Sequence, residues 1–174
     1  MLILSFFACS TSKKIGPVLT KDFSFPQNKM LEDYDLFCSI FKEANAGLYK
    51  YRDSVDVHKR FKKNRDKIKE NTSYRAFYNL LWNSIDYTGS CHNTLAYPDT
   101  IDAYLNKQAI YFPLPLKFID GKLYTNYNHD EIPVGSEILS VNGIASKSLS
   151  KEIAQYVSTD GFNTTGKYAS IETD

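Results

Sequence analysis

The apolar residues of this chain change their period near Ala109, and that change limits the chain to folds that keep helices and strands in separate parts. Up to that point they recur at three- and four-residue intervals. Beyond it they form short alternating runs separated by two-residue turns. The pattern is that of an α+β protein: an N-terminal helical subdomain of about three helices, followed by a small β-rich module.

Met30, Tyr34, Phe37, Ile40 and Phe41 fall on one face of a helix over residues 30–44, which Asn45-Ala46-Gly47 stops. Asp53-Ser54 then caps a basic helix from about Val55 to Glu70. Its Lys and Arg residues between Lys59 and Lys69 read as a solvated face, because Asp66 and Glu70 supply opposite charge at helical spacing. Thr72 and Ser73 cap a third helix whose stripe of Phe77, Leu80, Leu81, Trp82 and Ile85 is core material. That helix ends near Tyr87-Thr88-Gly89.

In the second part, Ile110–Ile119 alternates, with Pro113 and Pro115 confining it to an edge or bulged strand. Asp120-Gly121 is a hairpin signal, with Lys122–Tyr127 as the return strand. Ser136–Val141 is another strand, closed by Asn142-Gly143. Ser146–Val157 reads as a helix with Leu149, Ile153 and Tyr156 or Val157 inward, and Tyr168–Ile171 begins a further element.

A length of 174 residues suits one ordinary domain or two small ones. Hydrophobic residues at 43% and charged residues at 24% belong to a globular chain, and a net charge of +1 gives no reason to expect a nucleic-acid partner. Met1–Ala8 is apolar and ends in a small residue before Cys9 and a polar stretch. That order resembles the cleavage site of bacterial lipoproteins, in which the cysteine is lipidated; a buried N-terminal strand is the other reading. Residues 1–9 are thus expected to be a lipoprotein-type signal segment, and 10–29 a tether. The location implied is the cell envelope, with membrane contact only through a lipid at Cys9. Cys38 and Cys91 are expected to be free thiols.

Gly89-Ser-Cys-His-Asn-Thr-Leu95 stands where the third helix gives way to an extended segment, a suitable place for His92 to act as a general base. A plain structural histidine is the alternative. Cys91 and His92 are a poor nucleophile–base dyad, because neighbours on an extended chain point to opposite faces. His58, His92, His129 and the cysteines lack metal-ligand spacing, so neither a metal nor another cofactor is expected.

Four stretches carry a family resemblance. Ile132-Pro-Val-Gly-Ser-Glu-Ile-Leu-Ser-Val-Asn-Gly143 resembles the signature of a PDZ domain. Ala44-Asn-Ala-Gly-Leu-Tyr-Lys-Tyr51 and Gly89–Leu95 resemble the N-terminal region of tail-specific (C-terminal processing) serine peptidases with a tricorn-type core. Asp160-Gly-Phe-Asn-Thr-Thr165 is similar to the segment that follows their PDZ part. The resemblance implies that residues 30–107 carry the His motif, with His92 as the general base, and that 108–174 form a PDZ-like domain. It also implies a serine nucleophile and an acidic partner in a catalytic domain beyond Asp174. Cys91 stands where the resemblance places a glycine.

Two functions are therefore expected. In the first, this is the N-terminal portion of a secreted serine peptidase that hydrolyses peptide or protein substrates, inactive alone. In the second, it is a stand-alone PDZ-like lipoprotein that binds peptides by strand addition.

Overall fold

Three helices with complementary apolar stripes build the first part of the chain. In the computed structural model, which describes residues 24–108 and 112–171, they are α1 (Gln27–Ala44), α2 (Ser54–Arg65) and α3 (Tyr74–Thr88). The signal segment 1–9, Cys9 within it and the first part of the tether lie outside the described residues. Helix α1 starts inside the expected tether, because the carbonyl of Pro26 accepts from the amides of Lys29 and Met30.

The α1 stripe differs from expectation at one position. Met30 and Tyr34 are fully buried with Phe37 packed against their cluster, and Phe41 packs on Leu48, Val57 and Phe61, but Ile40 is 55% exposed. Ile40 sits roughly a quarter-turn off the axis of that stripe. Cys38 flanks the other side, half-buried and touching both core clusters, and burial pushes its thiol up to about 11. It is a packing residue.

Helix α2 buries Val57, Phe61 and Asn64 and turns its lysines outward, with Lys62 paired to Asp66 at 2.7 Å. It stops at Arg65, short of the expected Glu70. Amides of Lys67 and Ile68 bond back to Asn64 and Arg65, and these turns fold Ile68 into the core at 2% exposure.

Where the three helices meet, a polar network replaces apolar contact. The Tyr34 hydroxyl lies 3.1 Å from the Phe61 carbonyl and 2.6 Å from Ser84 Oγ. Ser84 in turn donates to the Leu80 carbonyl, and Asn64 Nδ2 donates to Ser84 Oγ at 3.0 Å. Each helix contributes a group that loses its partners if the others shift, so the network fixes the helix register.

A fourth helix, α4 (Asp99–Gln108), fills a stretch in which the sequence pattern suggested no helix. Pro98 offers its carbonyl to the amides of Ile101 and Asp102, Asp99 and Asp102 sit in the first turn, and Ile101 is buried.

The second part is built on a hairpin. Strands β1 (Leu116–Ile119) and β2 (Lys122–Thr125) pair around Asp120-Gly121, whose φ values of 50° and 80° give the left-handed pair that a two-residue hairpin needs. Strand β1 is shorter than expected. Residues 112–115, with Pro113 and Pro115, join no ladder, and 109–111 lie outside the described residues.

The expected 136–141 strand is divided between two sheets. Strand β3 (Glu137–Ile138) joins β2 to give the order β1-β2-β3, whereas β4 (Ser140–Val141) pairs with β5 (Ile144–Ala145) around Asn142-Gly143. Leu139 sits at the break, 73% exposed. Its carbonyl accepts the amide of Ser146, and the Ile138 carbonyl accepts the Ser146 hydroxyl.

Ser146 opens α5 (Ser146–Ile153), which tightens into a 3-10 turn over Ala154–Tyr156. The buried face is Ser146, Ser150 and Ala154, in place of the expected Leu149 and Ile153. Ile153 is exposed, while Leu149, Tyr156 and Val157 are half-buried. Small residues at four-residue spacing let the helix lie close against β2, and the larger side chains are pushed to its flanks. Finally α6 (Thr164–Ala169) stacks Tyr168 on Phe118 of β1, with ring centroids 4.1 Å apart. The fold is thus α+β, with a helical first part and small antiparallel sheets in the second.

Tyr34→Phe should lower the unfolding free energy by about 1–2 kcal/mol, because it removes from the core the hydroxyl that bonds both the Phe61 carbonyl and Ser84 Oγ. Urea denaturation followed by circular dichroism measures this; an unchanged midpoint would show that the network carries no stability.

Candidate functional site

The end of α3 sets the position of His92. Gly89 caps the helix with φ 73°, its amide bonded to the Asp86 carbonyl, and this left-handed residue turns the chain out of the helix. A tight turn over Cys91 and His92 follows, then an irregular run from Asn93 to Pro98. Cys91 stands where the family resemblance puts glycine, yet it is not among the residues of positive φ. A side chain is accommodated there without strain.

The turn corrects one expectation. Cys91 and His92 do not diverge as residues on an extended chain would. Their Sγ and an imidazole nitrogen lie within 4.8 Å of each other, and a carboxylate oxygen of Asp160 lies within the same distance of both. All three side chains are exposed.

Asp160 arrives through a seam of hydrogen bonds between two distant segments. The Gly161 amide donates to the Gly89 carbonyl at 2.7 Å, the Cys91 amide to Asp160 Oδ1 at 3.2 Å, and the Ser158 hydroxyl to the Asn93 carbonyl at 3.3 Å. The Cys91 amide is the main cause holding the Asp160 carboxyl below the usual carboxylate range, with smaller help from the charge of His92. Partial desolvation, followed by the nearby Asp160 carboxylate, raises the Cys91 thiol. A thiol so raised is a poor nucleophile at neutral pH.

The ring of Tyr51 closes the seam from below. A methyl group on Gly161 (φ 62°) would stand 3.1 Å from Tyr51 Cε1, and one on Gly89 would stand 3.2 Å from the Gly161 carbonyl oxygen. A side chain at either position is strained by the left-handed backbone and crowds its neighbour. Next to it, Arg52 donates from Nε to the Tyr87 carbonyl at 2.6 Å and lies over the rings of Tyr87 and Phe162. Lys167 of α6 pairs with Asp86 of α3, and both side chains are mostly buried. Burial raises the Asp86 carboxyl even with that ammonium beside it.

Three of the stretches that carry the family resemblance, 44–51, 89–95 and 160–165, thus meet at one place. The other histidines lie elsewhere: His58 bonds the Tyr49 hydroxyl, and His129 forms a bridge with Ile132. Ser146 and Ser150 are buried in α5, and Ser136 bonds the Pro133 carbonyl. Among the described residues no serine hydroxyl is hydrogen-bonded to His92. Sequence reasoning missed Asp160 and Tyr51 as members of the site. Their only signal was membership of separate motif stretches, because 69 residues separate Cys91 from Asp160.

A groove of about 670 Å³ opens beside the motif, lined by Tyr78, Trp82, Leu95, Tyr97, Asp102 and Tyr156 among others. The Tyr78 hydroxyl donates to the Leu95 carbonyl and its ring stacks on Tyr97 at 3.9 Å, which fixes the groove wall. Of residues 112–118 and 149–157, only Tyr156 lines this groove.

No protein-family model matches this sequence, and no curated protein matches it.

Gly161→Ala should destabilise the chain by about 1–2 kcal/mol from the left-handed backbone alone, more if the Tyr51 ring cannot move. Hydrogen exchange should show the Gly161 and Cys91 amides losing protection first; uniform loss would argue against a discrete seam. At the ion pair, Lys167→Met should cost more stability than Asp86→Asn, since only the former strands a buried carboxylate. Because the folded pKa of Asp86 lies above its unfolded value, its contribution to stability falls as pH rises from the unfolded pKa through the folded one. Asp86→Asn should flatten that part of the stability–pH curve, as denaturation at several pH values would reveal.

Proposed function

We propose that this chain supplies the general base of a serine peptidase of the tail-specific, tricorn-core type, with His92 as that base and residues 108–174 as its PDZ-like module. The observation that carries the reading is that 44–51, 89–95 and 160–165 meet at the contact of Tyr51, Gly89 and Gly161, beside the turn that carries His92. Separately each stretch is a weak resemblance; together they are joined where Tyr51 packs against Gly89 and Gly161, next to the turn that carries His92.

The geometry suits the role. The imidazole is exposed at the end of a capped helix, so an external hydroxyl can reach it. In the proposed reaction neutral His92 takes the proton of a serine hydroxyl as that oxygen attacks the peptide carbonyl, then returns the proton to the leaving amine. Asp160 is ionised and close enough to favour the imidazolium that exists between those two transfers. The serine, the oxyanion donors and the acidic partner belong to a catalytic region outside these 174 residues. The second part suits such an arrangement, since Val134, Leu139, Ile144 and Phe162 leave large apolar surface in solvent. The export segment ending at Cys9 would place the peptidase in the cell envelope.

The coding sequence beyond the codon for Asp174 tests this directly. It should encode, in some frame, a glycine-flanked serine and a later acidic residue; their absence defeats the reading. The continuous polypeptide should cleave unstructured peptides, and His92→Ala should lower its kcat/KM by roughly 10³-fold or more. The 174 residues alone should release no product above buffer.

A further inference from the structure

We propose that Cys91, His92 and Asp160 form a binding site for a thiophilic divalent cation, with Zn²⁺ as the fitting ion. They are the one group of three or more His, Cys, Asp or Glu side chains among the described residues whose donor atoms all lie within 4.8 Å of one another.

The donor set points to this class of ion. One sulfur, one imidazole nitrogen and one carboxylate oxygen form a mixed soft and borderline set, which suits zinc over magnesium or calcium. Three protein ligands with solvent at the fourth position is the arrangement of an open zinc site. Ligands about 2.0–2.3 Å from a tetrahedral ion stand roughly 3.3–3.7 Å apart. Exposed side chains within 4.8 Å need only rotamer adjustments of about an ångström to reach that spacing.

The backbone already holds the ligands in place. Cys91 and His92 share one turn, bracketed by the Gly161–Gly89 and Ser158–Asn93 hydrogen bonds. Asp160 Oδ1 is anchored by the Cys91 amide, which fixes the carboxylate beside the sulfur and leaves a second oxygen for the metal. Two segments far apart in sequence thus present three donors side by side. Binding transfers the thiol proton to solvent, as zinc–thiolate bonds require.

The consequence rests on the function proposed above. An imidazole nitrogen bonded to zinc cannot take a proton, so the cation would switch off the general base. Zinc binding itself does not depend on that reading, and the two are separated by measuring them separately.

The test is calorimetric titration of the full 174-residue chain, reduced and metal-free, with ZnCl₂ in a non-coordinating buffer. One equivalent should bind with a Kd of about 10 µM or tighter. Cys91→Ser, His92→Gln and Asp160→Asn should each weaken binding by roughly tenfold or more. Cys9→Ser and Cys38→Ser should leave it unchanged. Co²⁺ as a spectroscopic probe should give a thiolate charge-transfer band that Cys91→Ser abolishes, and zinc should protect His92 from carbethoxylation by diethyl pyrocarbonate. Absence of binding, or binding that survives in Cys91→Ser and Asp160→Asn, overturns the proposal. If zinc binds at this site and the continuous polypeptide is still fully active when saturated, the base assignment of His92 falls and the metal site stands.

Discussion

The end of α3 depends on Gly89, and the site depends on the end of α3. Gly89 adopts a left-handed conformation, which releases its carbonyl from the helix and aims it at the amide of Gly161. That single bond could not close the chain. Bringing together groups 69 residues apart costs on the order of 4 kcal/mol in chain entropy, whereas one hydrogen bond contributes about 1 kcal/mol net. Closure therefore needs the whole set: three seam hydrogen bonds, the Tyr51 ring beneath two glycines, Arg52 across Tyr87 and Phe162, and Lys167 on Asp86. The packing of α3 against the turn at Ala154–Tyr156 extends the same contact.

The two parts of the chain are held by different physics. The helical part combines an aromatic and aliphatic core with the Tyr34–Ser84–Asn64 network, so burial supplies stability and the network supplies register. Among its described residues the second part buries little beyond Leu114, Leu123, Ala154 and some small polar side chains. It relies on short ladders, two left-handed turns and the stacking of Tyr168 on Phe118. A module with so small a core gains from every contact with its neighbour, and the seam at His92 is one such contact.

Much of the fold was legible because local chemistry was unambiguous. Ser73 and Asp53 cap helices as expected, their side chains accepting from Ala76 and Asp56 amides. Asp120-Gly121 is a hairpin turn as expected, and Asn142-Gly143, expected as a turn that closes a strand, joins β4 to β5. The errors share a cause. Ile153 and Ile40 are apolar and near helical spacing, yet exposed, because each lies off the face that packs and that face was chosen by what lay opposite it. A close approach to β2 favoured Ser146, Ser150 and Ala154 over bulk. Likewise the 136–141 strand was divided because each half found a different partner.

By itself the sequence determined the first three helices, the hairpin at Asp120-Gly121 and the histidine at a helix end, since capping, turn conformation and periodicity act over a few residues. The tertiary structure alone decided what stands beside that histidine. The turn that brings Cys91 round to His92, and the seam that delivers Asp160 to both, come from hydrogen bonds between segments that no short-range pattern connects.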